Sequence, residues 1–246
     1  MIEKAHDEDV TDLAALGNGG WVSASDEESE IRVWTADGKA KAVFKGHSMP
    51  LSALTVLDDG ETVVSGDKGG TVIWWSAKDG SELGRVQAVT SMVMSLCALK
   101  GSLVAVGLYD NPVTVIDVKT GKVTAKFHED SKGAGSLFAL AGGSKLVAKW
   151  RLYDVSSPEK PGIEIKGLDP YTSESVAEVC PGRVLSFQWR IGTVCLWSVS
   201  ELRVTHPVLA MVPLGERLVK VLWDGSKDTF HAVCESGSVY SFKLTL

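Results

Sequence analysis

Thr71-Val72-Ile73-Trp74-Trp75-Ser76-Ala77-Lys78-Asp79-Gly80 decides the fold, because it is one copy of a pattern that recurs along the chain. A short run of β-branched and aromatic residues closed by Asp-Gly reads as a strand that ends in a tight turn. Trp75 lies 28 residues after His47, and Trp34 lies 28 residues after His6. From His6 to His47 is 41 residues; from His47 to His128 is 81, two such periods, with a slot at Ala88 dividing them. Twenty-eight residues past Ala88 stands Ile116, followed by Asp117. Other copies are Ile31-Arg32-Val33-Trp34, Val113-Thr114-Val115-Ile116-Asp117, Arg151-Leu152-Tyr153-Asp154, Thr193-Val194-Cys195-Leu196-Trp197 and Val239-Tyr240-Ser241-Phe242. Six copies in 246 residues average 41 each. A repeat of about 40 residues marks an architecture in which each unit buries its apolar faces against its neighbours.

Within the second unit, the runs Leu51–Leu57, Glu61–Gly66, Gly70–Trp75 and Ser81–Gln87 read as four strands with three turns, and no stretch keeps a 3.6-residue period. With Gly46-His47, the strands ending in Trp34 and Trp75, and Ile116-Asp117 and Tyr153-Asp154 in a Trp-Asp slot, the sequence resembles the WD-repeat (WD40) family of β-propellers. The resemblance implies an all-β fold: a single propeller domain over 1–246, of six four-stranded blades. Their approximate spans are 7–44, 47–87, 88–127, 128–167, 168–212 and 213–246. Residues 2–5, which align with Val43–Gly46, are expected to complete the last blade and close the ring. A seventh blade built from Glu201–Gly215 is the alternative, and it would need very short strands. The resemblance also assigns structural repeat positions: His6, Trp34, His47, Trp75, Asp110, Asp117, His128 and Trp197. In that family an Asp in the turn before the Trp strand bonds the Gly-His histidine. Asp110 fills that slot opposite Ala88, with Glu28 a substitute in the first unit, so the polar network is expected to be mostly absent.

Composition narrows the function. The formal net charge is −6, and no run of five Lys or Arg occurs, which disfavours nucleic acid as a direct ligand. No apolar stretch approaches the ~20 residues of a membrane span, and the first ten residues carry no apolar leader segment. The cysteines at 97, 180, 195 and 234 form no CxxC pair and sit among apolar neighbours, which reads as buried free thiols. A cytoplasmic or other reducing intracellular location, the nucleus included, is expected.

No phosphate loop, GxSxG elbow or HExxH motif is present, and the histidines sit one blade apart. No catalytic, cofactor-binding or metal-ligating residues are therefore expected. The turns between second and third strands are a different matter. They place Tyr109, Trp150, Arg151, Trp189 and Arg190 on one face, and Tyr, Trp and Arg are the types enriched where proteins grip partners. Asp26, Glu27 and Glu28 make the other side of that rim acidic. These five residues are the candidate partner-binding set; Trp150 and Trp189 capping their own sheets is the structural alternative. Pro158 and Pro161 predict a protruding loop after a tight hairpin in the fourth unit. The function expected is a protein-interaction scaffold or adaptor in a multi-subunit assembly. Family members that serve as ubiquitin-ligase receptors end a strand in Trp-Asp-x-Arg, which this chain lacks. The alternative is an enzyme or small-ligand protein using the central channel.

Overall fold

A computed structural model describes residues 6–7, 10–25, 29–87, 91–166, 176–180, 182–188, 193–200, 203–211, 218–224, 229–234 and 238–243. Apart from one 3-10 turn, the regular secondary structure of these residues is all strand. The first sheet contains β1 (Val10–Ala15), β2 (Trp21–Ser25), β3 (Glu30–Trp34) and β4 (Ala40–Lys45). The second contains β5 (Leu51–Val56), β6 (Thr62–Asp67), β7 (Thr71–Ser76) and β8 (Glu82–Gln87). The third contains β9 (Val93–Ala98), β10 (Leu103–Leu108), β11 (Thr114–Asp117) and β12 (Lys122–Lys126). A 3-10 turn at Glu129–Ser131 leads into the fourth, β13 (Leu137–Leu140), β14 (Lys145–Ala148), β15 (Arg151–Asp154) and β16 (Ile163–Glu164). The fifth contains β17 (Val176–Cys180), β18 (Arg183–Gln188), β19 (Thr193–Ser198) and β20 (Arg203–Met211). The sixth contains β21 (Leu218–Asp224), β22 (Thr229–Cys234) and β23 (Val239–Lys243).

Among the described residues five sheets thus have four strands and the sixth has three, each pairing its strands in sequence order. The stretch that suggested a seventh blade instead supplies β20, the nine-residue outer strand of the fifth sheet. Residues 2–5, the expected clasp, lie outside the described residues.

Alternation along the second strand of each sheet explains how the sheets stack. Successive side chains of a strand point to opposite faces. On β6 and β7, Val63, Ile73 and Trp75 therefore pack with Val22, Ile31, Val33 and Phe44 of the first sheet. Val64, Val72 and Trp74 face the other way, against Val93, Val104, Val106 and Ile116 of the third. Similar apolar clusters join the third sheet to the fourth and the fourth to the fifth. In the first four sheets the strands inside the sheet are covered on both faces, so β6 reads as a nearly continuous buried run.

β5 lies against β1 and β9, and β9 against β13, so the first strands of successive sheets gather around a common space of about 650 Å³. That is the inner wall of a propeller. Strand direction then assigns two faces. The β2–β3, β6–β7, β10–β11 and β14–β15 turns share one face with the connectors between sheets. The β5–β6, β7–β8, β9–β10 and β11–β12 turns lie on the opposite face.

Candidate protein-interaction face and the networks beneath it

The second sheet carries a complete polar relay under the turn face. Trp75 Nε1 donates to Ser65 Oγ at 2.8 Å, and Ser65 Oγ lies 2.7 Å from His47 Nε2. His47 Nδ1 lies 2.8 Å from Asp67 Oδ2, with the two side chains 1% and 0% exposed. The other Asp67 oxygen accepts from the backbone amides of Gly69 and Thr71, each at 2.9 Å, and so pins the β6–β7 turn. Burial lowers the histidine's pKa below its usual value of 6.5, against the opposing pull of Asp67. A neutral ring with its proton on Nδ1 satisfies the whole chain: Nδ1 donates to Asp67, and Nε2 accepts from the serine hydroxyl.

This corrects the assignment of the Asp slot to Asp110 alone: in the second sheet Asp67 fills it. The Asp slot is set by register: Asp67 ends β6, pairs with Leu51 and follows a bulge between Leu51 and Ala53. The residue in that register in the third sheet is Leu108, which pairs with Val93 beside an equivalent irregularity. Asp110 lies two residues beyond, exposed, with its backbone amide donating to Ser91 Oγ at 3.2 Å. It is not the network residue.

The first sheet holds a shortened version. His6 Nε2 lies 2.6 Å from Ser23 Oγ, which also accepts from Trp34 Nε1 at 2.9 Å. Ser25 occupies the Asp67 register opposite Val10, and its buried hydroxyl has no hydrogen-bond partner among the described residues. In the third sheet Val106, Leu108 and Ile116, all 0% exposed, take the places of serine, aspartate and tryptophan. Trp197, also 0% exposed, anchors the fifth sheet. Asp117 works elsewhere: it accepts from Ser102 Oγ at 2.8 Å and the Lys119 amide at 3.0 Å, shaping the turn after β11.

In the fourth sheet Asp130, in the 3-10 turn, takes over. It accepts from Tyr153 Oη at 3.0 Å and the Gly162 amide at 3.2 Å, and lies 3.4 Å from Arg151 Nη1. Burial and the Asp130 charge both raise the Tyr153 pKa, so the phenol remains a donor. His128, expected at a structural repeat position, caps this 3-10 turn, accepting from the Asp130 amide at 3.4 Å with its side chain 42% exposed. The loop after β15 does not protrude. The His128 amide donates to the Pro158 carbonyl at 2.9 Å, and Arg151 Nη1 to the Gly162 carbonyl at 2.7 Å, which folds the loop along the sheet's outer side.

Of the candidate partner-binding residues, Tyr109 stands on the turn face at 57% exposure. The β14–β15 hairpin is tight, with Lys149 at φ 57° and its Nζ 5.8 Å from the Trp150 ring centre. Gly133 lies between these two turns: a Cβ there would sit 3.4 Å from the Tyr109 carbonyl and 3.7 Å from Lys149 Nζ. Tyr109, Lys149 and Trp150 are therefore neighbours, whereas Arg151 is turned inward to Asp130 and Gly162. Trp189, Arg190 and the acidic turn Asp26–Glu28 lie outside the described residues. Sequence reading missed Lys149, Ser23, Ser65, Asp67 and Asp130, and placed Tyr153 in a Trp-Asp slot without its bond to Asp130. The signal for the serines was Ser23-Ala24-Ser25 and Ser65-Gly66-Asp67, 42 residues apart and at like distances from the two histidines.

Among the described residues lining the central space, Asp12 is the one ionisable side chain, and its carboxylate accepts from the Leu13 amide at 2.8 Å and the Leu54 amide at 2.9 Å. It ties the first sheet to the second.

Six consecutive antiparallel sheets, the first four with their first strands around one space, and a Trp-Ser-His-Asp relay in the second define a WD-repeat β-propeller. The family model described as outer membrane protein assembly factor BamB, also of propeller type, matches residues 18–200, and the chain belongs to that family. The chain is similar to human WD repeat-containing protein 97, 31% identical over 81 residues, which is 33% of this chain and 5% of that protein. It is 27% identical over 142 residues to the Xenopus laevis U3 small nucleolar RNA-associated protein 15 homolog, 56% of this chain and 28% of that one. It is 24% identical over 247 residues to the 77 kDa echinoderm microtubule-associated protein of Lytechinus variegatus, 93% of this chain and 36% of that one. The chain thus spans well under two thirds of each of these relatives. No helix among the described residues is long and apolar enough to cross a membrane.

Proposed function

We propose that the chain is one propeller domain acting as a protein-interaction scaffold, and that it grips partners through its turn face. The supporting observation is the cluster of Tyr109, Lys149 and Trp150, an exposed phenol beside a cation held over an indole. Such a patch suits an acidic or aromatic element of a partner protein. Trp189 and Arg190, at the corresponding place in the fifth repeat of the sequence, belong to the same reading, as does membership of a multi-subunit assembly. The name of one relative, a microtubule-associated protein, points the same way. A reducing intracellular location is part of the proposal; Cys97 is a free thiol whose burial pushes its pKa up to about 11.

The test is affinity capture with quantitative mass spectrometry, comparing the native chain with Tyr109→Ala/Trp150→Ala and with Trp189→Ala. The double variant should remain folded and lose at least one partner about tenfold, the effect of deleting one hot-spot contact. A folded variant that retains every partner overturns the reading.

A further inference from the structure

The opposite face carries a groove that the scaffold reading does not use. It lies between the second and third sheets, encloses about 450 Å³, and has Leu57, Trp74 and Val118 as its floor with Leu83 of β8 as one wall. Leu57, Trp74 and Val118 are nearly buried, while Leu83 is 53% exposed. A single exposed leucine is ordinary. Here, however, it continues an apolar trough that already has a tryptophan in its base.

Two glycines keep the trough open. Gly84 pairs with Trp74 across β7 and β8, and the indole lies only 2.5 Å from where a Cβ on Gly84 would stand. The ring can therefore lie flat over the outer strand. On the far wall Gly101, at φ 74°, has nothing within 4 Å of its Cβ position. The lip is acidic on one side. Asp58 Oδ2 accepts from the Gly101 amide at 3.4 Å, and its second oxygen has no hydrogen-bond partner among the described residues. Asp59 beside it is held below its ordinary pKa: burial would raise it, but hydrogen bonds from Thr62 and the Glu61 amide outweigh that. Lys119 stands on the other side.

We propose that this groove is a second docking site, for a peptide segment that places an apolar side chain over Trp74 beside a lysine or arginine that meets Asp58. Shape supplies the first half: the trough is open, apolar at its base and large enough for one or two side chains. Charge complementarity supplies the second, because two adjacent carboxylates flank one end of the trough. The site is separate from the turn face, so a partner there and a partner here can be held together.

The probe is the fluorescein-labelled hexapeptide Gly-Lys-Leu-Phe-Lys-Gly, followed by fluorescence polarisation, with 5-fluorotryptophan in the protein so that the Trp74 ¹⁹F resonance reports contact. That resonance is assigned by its loss in Trp74→Phe. The expected result is saturable binding that moves the Trp74 resonance, weakened about tenfold by Leu83→Ala and by Asp58→Asn. Gly-Glu-Leu-Phe-Glu-Gly should bind at least tenfold more weakly, and Tyr109→Ala/Trp150→Ala should leave the affinity unchanged, which separates this site from the turn face. Leu83 and Asp58 are surface residues whose replacement spares the core. Absence of binding at millimolar peptide, equal binding of the two peptides, or binding that leaves the Trp74 resonance unmoved overturns the proposal.

Discussion

His47 shows how one buried ring couples the turn face to the core. Its Nδ1 holds Asp67, which holds the β6–β7 turn, while its Nε2 reaches the serine that receives Trp75. Removing Asp67 leaves the ring nitrogen and two turn amides unpaired, so Asp67→Ala should lower stability by about 1–3 kcal/mol, the cost of stranding buried donors. Denaturant titration of the purified chain reads this directly. The same histidine sets a pH dependence. Its folded pKa is depressed below 6.5, so the unfolded chain binds the proton more readily than the folded one. Its contribution is whole above pH 6.5 and is lost as the pH falls through that value towards the folded pKa. The native chain should lose more stability between pH 7.5 and 5.5 than His47→Gln; equal losses would show that the ring does not carry the effect. Sequence spacing revealed the histidine and both tryptophans. It missed Asp67 because the slot depends on a bulge beside Leu51, and spacing cannot count an irregularity in a partner strand. The Asp130–Tyr153 bond was hidden for a related reason: its partners are 23 residues apart, joined only when the connector packs on the next sheet.

At the level of elements, neighbouring sheets touch through their turns as well as through side chains. On the opposite face the Gly17 amide donates to the Gly60 carbonyl at 2.9 Å, joining the β1–β2 and β5–β6 turns. Gly60 has φ 68°, and a Cβ on it would stand 2.7 Å from the Gly17 Cα. Alanine there meets both backbone strain and a clash with main chain that cannot swing aside. Gly60→Ala should therefore cost about 2 kcal/mol or more. Gly101→Ala, at φ 74° with open space around it, should cost only the strain, about 1 kcal/mol. Thermal denaturation of both variants separates clash from strain; equal shifts would mean that the Gly17–Gly60 approach contributes nothing. The strands themselves were legible. The four read in the second unit lie within one residue or so of β5 to β8, because each combines β-branched or aromatic runs with Asp, Gly or Ser at its ends. Loops were less so: residues 155–162 are folded back by the His128 amide donating to the Pro158 carbonyl and by the Asp130 carboxylate accepting from the Gly162 amide, both far away in sequence.

For the whole molecule, the sixth sheet has three strands among the described residues, and its missing edge is the place proposed for residues 2–5. A sheet edge left open exposes unpaired amides and carbonyls. A chain lacking residues 1–5 should therefore melt several degrees lower and aggregate sooner on heating, as calorimetry and light scattering would show. An unchanged melting temperature would argue that the ring closes in another way. The outer rim of the described sheets has a consequence for recognition. β4 carries Lys41 and Lys45, β8 carries Glu82 and Arg85, and β12 carries Lys122 and Lys126, all exposed, while the outer strand of the fourth sheet is cut to Ile163 and Glu164. Charged, twisted or abbreviated margins discourage another backbone from hydrogen-bonding alongside. Under the proposed scaffold function, a polypeptide meeting the outer strands of these four sheets finds little backbone to pair with, and selection falls to its side chains.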